Sequence, residues 1–198
     1  VGWPEEGVLV GNGSNERIQA ILTAGCGCGR SLVTASPGFP LYRVQARFLD
    51  ADVHEVPLAA EFRFDAGAIR REAERVGAGL IVICSPNNPT GSTIATAELE
   101  EILDGFSGLV VVDEAYREFG GTDFLALLRR YENLLLLRTF SKAMCLAGLR
   151  VGYLLGHRAV VAEIEKVKVP YSVDLFSCAA ALVALKHMDV WQRRVRGS

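Results

Sequence analysis

Residues 109–116 read LVVVDEAY, a short apolar run followed at once by two acidic residues and a tyrosine. Unbroken apolar runs of this length, rich in Val, Ile and Leu, are typical of strands buried on both faces of a sheet. Similar runs occupy four other stretches: Val8–Val10, Ser31–Ala35, Leu80–Cys84 and Leu134–Leu137. Asp52–Val56 and Val151–Leu155 are two further strand candidates, and an antiparallel direction is open for the second.

Amphipathic stretches with helical spacing lie between and after these runs. They are Glu16–Thr23, Leu41–Leu49, Ala66–Arg75, Thr96–Phe106, Ala159–Val167 and Leu175–Lys186. Alternating strands and helices predict an α/β fold, with a mostly parallel sheet and helices on both of its faces. With 198 residues, half of them hydrophobic, the chain is expected to form one domain around a sizeable core.

Composition argues against several classes of protein. The 21 basic and 23 acidic residues nearly balance, which disfavours nucleic-acid binding. No apolar run approaches the roughly 20 residues that a membrane helix needs, and no leader is recognisable, so a soluble cytoplasmic protein is predicted. The five cysteines are irregularly spaced, which predicts neither a disulfide framework nor, for the Cys26-Gly27-Cys28 pair, a metal site.

Polar segments that directly follow the apolar runs are the places to look for chemistry, because α/β sheets bind ligands beyond the carboxyl ends of their strands. Four such segments stand out: GNGSNE at 11–16, SPNNPTG at 85–91, DEAY at 113–116 and TFSK at 139–142. We expect all four to face one crevice.

Several residues in these segments suggest an anionic ligand. The backbone at Ser14 and Asn15, at the start of a helix, could bind a phosphate, although the same residues could simply cap the helix. Arg150, set among apolar residues, requires an anionic partner. A buried Asp113 needs a cation or hydrogen-bond donors, and a pyridinium N–H would serve, as would a helix cap or an arginine. Lys142 is either a ligand-binding amine or a solvated surface lysine.

The order of the segments SPNNPTG, DEAY, TFSK and LAGLR (146–150) resembles the class I/II aminotransferases, which depend on pyridoxal 5'-phosphate (PLP). Within that family, the opening GNGSNE, the turn at Pro37–Tyr42 and the segment 168–173 are most similar to the histidinol-phosphate aminotransferase subfamily. The resemblance implies that residues 1–198 form the large, PLP-binding domain of a fold type I PLP transferase. It also implies a homodimer in the full-length protein, with an N-terminal arm and a small C-terminal domain that are absent here.

The resemblance also implies a role for each matching residue. Lys142 would form the internal aldimine with the cofactor and then move a proton between the substrate Cα and the cofactor. Asp113 would bond the pyridine nitrogen, and Asn88 and Tyr116 the phenolate oxygen of the ring. Lys142, Asp113 and Tyr116 are thus the catalytic candidates. The full set of cofactor-binding candidates is Ser14, Asn15, Phe39, Asn88, Asp113, Tyr116, Thr139, Ser141, Lys142 and Arg150, and no metal is implied.

Phe39 marks a departure, since the subfamily often has a tyrosine there; phenylalanine can stack on the ring but has no hydroxyl to bond. The implied reaction is transamination between histidinol phosphate and 2-oxoglutarate or glutamate, in histidine biosynthesis, with a small amino-acid or amino-alcohol phosphate as substrate. Alternatives stay open: a PLP-dependent decarboxylase of a phosphorylated amino acid, another amino-acid aminotransferase, or a truncated, non-catalytic PLP-binding fragment.

Overall fold

The apolar runs form a single sheet in the computed structural model, which describes residues 2–26 and 29–197. Its strands are β1 (Val8–Asn12), β2 (Leu32–Ser36), β3 (Val53–Pro57), β4 (Leu80–Cys84), β5 (Leu109–Asp113), β6 (Leu134–Thr139) and β7 (Val151–Gly156). Within the described residues these seven strands are ordered β1-β7-β6-β5-β4-β2-β3. Each predicted strand is present, with ends shifted by no more than two residues.

The direction of the strands decides where their polar ends meet. Strands β3, β2, β4, β5 and β6 pair in parallel, as predicted for most of the sheet. Strand β7 is antiparallel to β6, so the direction left open for Val151–Leu155 is antiparallel, and β1 is antiparallel to β7. Because β1 therefore runs in the same direction as β6, the carboxyl ends of β1, β4, β5 and β6 lie at one edge of the sheet, where β7 begins.

Helices cover both faces of the sheet, as predicted. Their bounds are α1 (Gly13–Cys26), α2 (Leu41–Phe48), α3 (Ala66–Arg75), α4 (Thr96–Gly105), α5 (Arg158–Glu165), α6 (Leu175–Lys186) and α7 (Met188–Arg196). Buried residues of α1, α2 and α5 form one apolar cluster with β4, β5 and β6, and those of α3 and α4 form another cluster on the opposite face. The buried apolar side chains of β4, β5 and β6 alternate between the two clusters, as the pleat of a sheet requires.

Two helical features differ from the sequence-based expectation. Helix α1 begins at Gly13, three residues before the predicted start, so Ser14 and Asn15 lie inside its first turn. Helix α7 was not predicted, although Met188, Trp191 and Val195 have helical spacing; the stretch is short, and among its residues only Trp191 is buried. No helix in the described part of the chain is long and apolar enough to cross a membrane.

Candidate active site

All ten cofactor-binding candidates lie around one pocket of about 200 Å³ at the carboxyl edge of the sheet. The first turn of α1 contributes Ser14 and Asn15, and the ends of β5 and β6 contribute Asp113 and Thr139. Phe39, Asn88, Tyr116, Ser141, Lys142 and Arg150 come from the loops at the same edge. Three further residues line the pocket and were not predicted: Cys84, Ala115 and Ala147. The expected convergence of the four polar segments is confirmed.

One end of the pocket is electropositive because a guanidinium lies against the N-terminus of α1. A Cβ placed on Gly13 would lie 2.4 Å from Nη2 of Arg150, and Gly13 has a φ of +73°, so only glycine suits this position. Arg150 is held by a hydrogen bond from Nη1 to the Ala147 carbonyl, 3.2 Å. The partial positive charge of the helix terminus adds to that of the guanidinium. This end of the pocket is therefore suited to a phosphate group.

The start of α1 also settles which residue caps the helix. The carboxylate of Glu16 accepts a hydrogen bond from the backbone N–H of Asn12, 2.6 Å, and another from the Ser172 hydroxyl, 2.9 Å. Ser14 makes no corresponding capping bond in the described structure and instead lines the pocket. The acidic residue thus stabilises the helix start, and Ser14 and Arg150 line the same pocket.

Two hydroxyls at the end of β6 organise the turn that leads to Lys142. The backbone N–H of Ser141 donates to Oγ1 of Thr139, 3.1 Å, and that hydroxyl lies 3.0 Å from Oγ of Ser141. Both side chains line the pocket. Hydroxyls placed in this way can donate to a second oxygen of a bound phosphate.

Asp113 is a buried carboxylate without an ionic partner. Only 2 % of it is exposed. Oδ2 accepts a hydrogen bond from the Tyr42 hydroxyl, 2.8 Å, and Oδ1 accepts one from the backbone N–H of Ala115, 3.0 Å. No lysine or arginine in residues 2–26 and 29–197 lies within 4 Å of its oxygens. Burial raises the pKa of Asp113, while Tyr42, Ala115 and the positive charge of Lys142 oppose the rise.

Lys142 lies at the open side of the same pocket. Its Nζ is 5.1 Å from the centroid of the Tyr116 ring, within the range of a cation–π contact. No carboxylate in the described part of the chain forms an ion pair with it, unlike Lys166 and Lys168, which pair with glutamates on the surface. The amine is accessible and is not neutralised by a neighbouring acid.

Tyr42 and Cys84 are the buried groups that sequence reasoning missed. Tyr42 lies on α2 and is 1 % exposed, and its ring meets that of Phe39 edge to face at a centroid distance of 5.4 Å. Burial raises the pKa of the Cys84 thiol to about 12, and that thiol lies beside the Tyr42 hydroxyl. The only sequence signal for Tyr42 was its place at the end of the 37–42 turn.

The described residues contain no group of three or more His, Cys, Asp or Glu side chains that could hold a metal ion. Cys26 is buried, which raises its pKa to about 11, whereas Gly27 and Cys28 of the predicted pair lie outside the described residues.

Comparison with known proteins identifies the family. The family model for aminotransferase class I and II matches residues 3–195. The chain belongs to the class I and II aminotransferases. Pyridoxal phosphate is the cofactor of this family. The family also accounts for the fold, since its solved members have the same α/β sheet.

Curated relatives of this aminotransferase chain have one name in common. A histidinol-phosphate aminotransferase of Thermococcus kodakarensis is 42 % identical over 195 residues, which are 98 % of this chain and 56 % of that protein. One of Chlorobium phaeovibrioides is 41 % identical over 189 residues, 95 % of this chain and 51 % of that protein. A solved structure is also similar: the histidinol-phosphate aminotransferase of Sinorhizobium meliloti in complex with pyridoxal-5'-phosphate, with 26 % sequence identity and a TM-score of 0.89. That match covers 96 % of this chain and 53 % of the S. meliloti chain. The chain spans about half the length of the relatives it matches.

The pocket of this aminotransferase chain fits the family's cofactor by the chemistry of its donors. The cationic end, with Arg150 and the α1 N-terminus, suits the phosphate. Asp113 is buried, accepts two hydrogen bonds and has no internal cation, which suits a protonated ring nitrogen. Lys142 offers an accessible amine at the open side of the pocket.

Proposed function

We propose that this chain is the cofactor-binding large domain of a PLP-dependent aminotransferase that moves an amino group between histidinol phosphate and 2-oxoglutarate or glutamate. The observation that carries the proposal is one pocket in which an accessible lysine amine, a buried carboxylate lacking a cation and a cationic helix terminus come together. Each of the three matches a different part of the cofactor: its aldehyde, its ring nitrogen and its phosphate.

Lys142 is the catalytic base and acid in this proposal. Bound pyridoxal phosphate supplies an electron-withdrawing ring that accepts the electron pair released when a bond to the substrate Cα breaks. Nζ of Lys142 would hold the aldehyde carbon of the cofactor and, as a free amine, would accept a proton from the substrate Cα and give it back. The Tyr116 ring, with its centroid 5.1 Å from Nζ, is the neighbour that would help to orient this amine.

The other candidates hold and orient the cofactor. Asp113 would accept a hydrogen bond from the ring nitrogen and keep it protonated, and Asn88 and Tyr116 would donate to the ring hydroxyl oxygen. Phe39 would supply an aromatic surface for the ring. The phosphate would be held by the remaining candidates: the first-turn backbone at Ser14 and Asn15, the hydroxyls of Thr139 and Ser141, and the guanidinium of Arg150.

The substrate part of the proposal rests on the relatives. The T. kodakarensis and C. phaeovibrioides proteins, both above 40 % identity, are named for histidinol phosphate. The pocket residues described above would all contact the cofactor, and they fit transamination of other amino acids equally well. A place in histidine biosynthesis, a cytoplasmic location and a homodimeric assembly of the whole protein belong to the same proposal.

Cofactor attachment is tested by absorbance and peptide mapping. The purified protein is titrated with pyridoxal phosphate, reduced with borohydride and digested, with Lys142→Ala and Lys166→Ala measured in parallel. Lys166 is a matched control because its amine is paired with Glu163 on the surface, away from the pocket. We expect the wild type and Lys166→Ala to carry the label on residue 142, and Lys142→Ala to carry none. Label scattered over surface lysines would overturn the assignment.

Substrate choice is tested separately. Amino transfer to 2-oxoglutarate is measured with histidinol phosphate, aspartate and phenylalanine, and we expect histidinol phosphate to give the highest kcat/KM. A preference for another amine would correct the substrate, and release of carbon dioxide from a phosphorylated amino acid would support the decarboxylase alternative. Attachment at Lys142 with no turnover of any substrate would leave a cofactor-binding module.

A further inference from the structure

The hydroxyl of Tyr42 lies directly behind the carboxylate that faces the pocket. Tyr42 is 1 % exposed and Asp113 is 2 % exposed, and the hydroxyl donates to Oδ2 over 2.8 Å although the two residues are 71 positions apart. The backbone N–H of Ala115 donates to the other oxygen. Each carboxylate oxygen accepts one bond from within the protein and keeps lone pairs free for the pocket.

The direction of this hydrogen bond is fixed by the surroundings of the phenol. Tyr42 is enclosed, and burial together with the neighbouring Asp113 raises its pKa well above the ordinary value. The phenol is therefore neutral and acts as the donor, while Asp113 is the acceptor. A hydrogen bond from a neutral donor favours the ionised form of a buried carboxylate, which burial alone would disfavour.

We propose that Tyr42 is a positioning residue for the reaction: its hydroxyl fixes the rotation and the negative charge of Asp113, so that this carboxylate holds a proton on the cofactor's ring nitrogen. This inference rests on the proposed function. Without the bond from Tyr42, the carboxylate loses one of its two donors and becomes a stronger base. The proton shared with the ring nitrogen then moves towards Asp113, and the ring withdraws electrons less effectively.

A merely structural role for Tyr42 makes a different prediction. A buried tyrosine needs a partner for its hydroxyl in any protein, so loss of the bond could lower stability alone. The chain contains a matched pair for comparison: the Tyr131 hydroxyl donates to Oδ1 of Asp104 over the same 2.8 Å, on the surface and outside the pocket. Tyr131→Phe removes the same chemical group from the same kind of bond.

The test compares Tyr42→Phe with Tyr131→Phe in protein loaded with pyridoxal phosphate that carries ¹⁵N in its ring. For Tyr42→Phe we expect the ring-nitrogen chemical shift to move towards the unprotonated value and kcat to fall roughly tenfold, the effect of one hydrogen bond to a charged group, with little change in KM. Tyr131→Phe should match the wild type in both measurements. Tyr42→His, which returns a donor near the same place, should recover part of the chemical shift.

The outcomes separate the inference from the function on which it rests. A wild-type protein that does not attach the cofactor at Lys142 contradicts the proposed function itself. If the wild type attaches it and Tyr42→Phe leaves the chemical shift and kcat at the values of Tyr131→Phe, the positioning role is wrong. It is also wrong if the shifts of Tyr42→Phe and Tyr42→His follow their melting temperatures instead of the presence of a donor.

Discussion

Asp113 and Glu114 are neighbours in sequence, equally buried at 2 % and 1 % exposure, and face opposite sides of the sheet. Glu114 forms an ion pair with Arg138, whose Nε lies 2.6 Å from Oε2 of the glutamate. Oε1 of Glu114 accepts a hydrogen bond from the backbone N–H of Phe124. Asp113, on the side of α2, meets only a phenol and a backbone amide. One carboxylate is neutralised inside the protein, and the other is not.

The difference shows how a functional carboxylate can be told from a structural one. Burying an unpaired charge costs several kcal/mol, so the fold must compensate it or leave it for a ligand. Burial raises the pKa of Glu114, but Arg138 opposes the rise, and the carboxylate in turn raises the pKa of Arg138. Burial alone would have marked both acids as candidates; the missing cation is what marks Asp113.

The largest expected effect is on stability, at Glu114. Glu114→Gln leaves the guanidinium of Arg138 buried with only Asp123, which is half exposed, as an ionic partner. We expect the free energy of unfolding to fall by about 3 kcal/mol, at the low end of the cost of breaking a buried pair. Asp113→Asn should not lower it. Urea unfolding of the cofactor-free protein measures both, and equal losses would remove the distinction between the two acids.

The sequence predicted the setting of these two acids but not their difference. The apolar run 109–112 predicted a buried strand, and the rule for strand ends placed Asp113 beside Lys142 and the other polar segments. The partners were not predictable, because Tyr42 and Asp113 are brought together only by the packing of α2 on the sheet. The pairing of Glu114 with Arg138 likewise depends on β5 lying beside β6. The order of strands in a sheet cannot be read from the periodicity of a sequence.

The second effect is on catalysis, and it should reverse the ranking of the two acids. Asp113→Asn removes the group proposed to hold the proton on the ring nitrogen, so kcat/KM should fall by about 10² to 10³, the range for loss of one preorganised electrostatic partner. Glu114→Gln, assayed at a temperature where it stays folded, should keep most of its activity because it does not contact the pocket. Steady-state kinetics on cofactor-saturated protein make the comparison. A larger loss in Glu114→Gln would mean that the opposite face takes part in the reaction.

The third effect is the pH dependence of stability. Because burial raises the pKa of Asp113 above 3.8, the folded chain binds this proton more tightly than the unfolded chain does. Ionised Asp113 therefore costs stability as the pH rises from about 4 to its folded pKa. The free energy of unfolding of Asp113→Asn, relative to wild type, should rise over that window and then level off. The groups that face Asp113 are Tyr42, Cys84 and Lys142. Burial raises the pKa of Tyr42 and of Cys84, so neither side chain ionises in this window. A flat difference would show that Asp113 is already compensated.

The smallest expected effect is at Asp123, the second acid on Arg138. Oδ1 of Asp123 lies 2.8 Å from Nη2 of Arg138. Partial burial acts to raise the pKa of Asp123, but hydrogen bonding by the Leu125 N–H and the charge of Arg138 hold that pKa below the ordinary 3.8. The sign is opposite to that of Asp113: the stability from Asp123 is present above about pH 4 and is lost as the pH falls through its folded pKa. Because half of its side chain is exposed to solvent, Asp123→Asn should cost at most about 1 kcal/mol at neutral pH, and less at high salt. A loss as large as that of Glu114→Gln, or one insensitive to salt, would mean that Arg138 depends on both acids equally and that burial does not set their ranking.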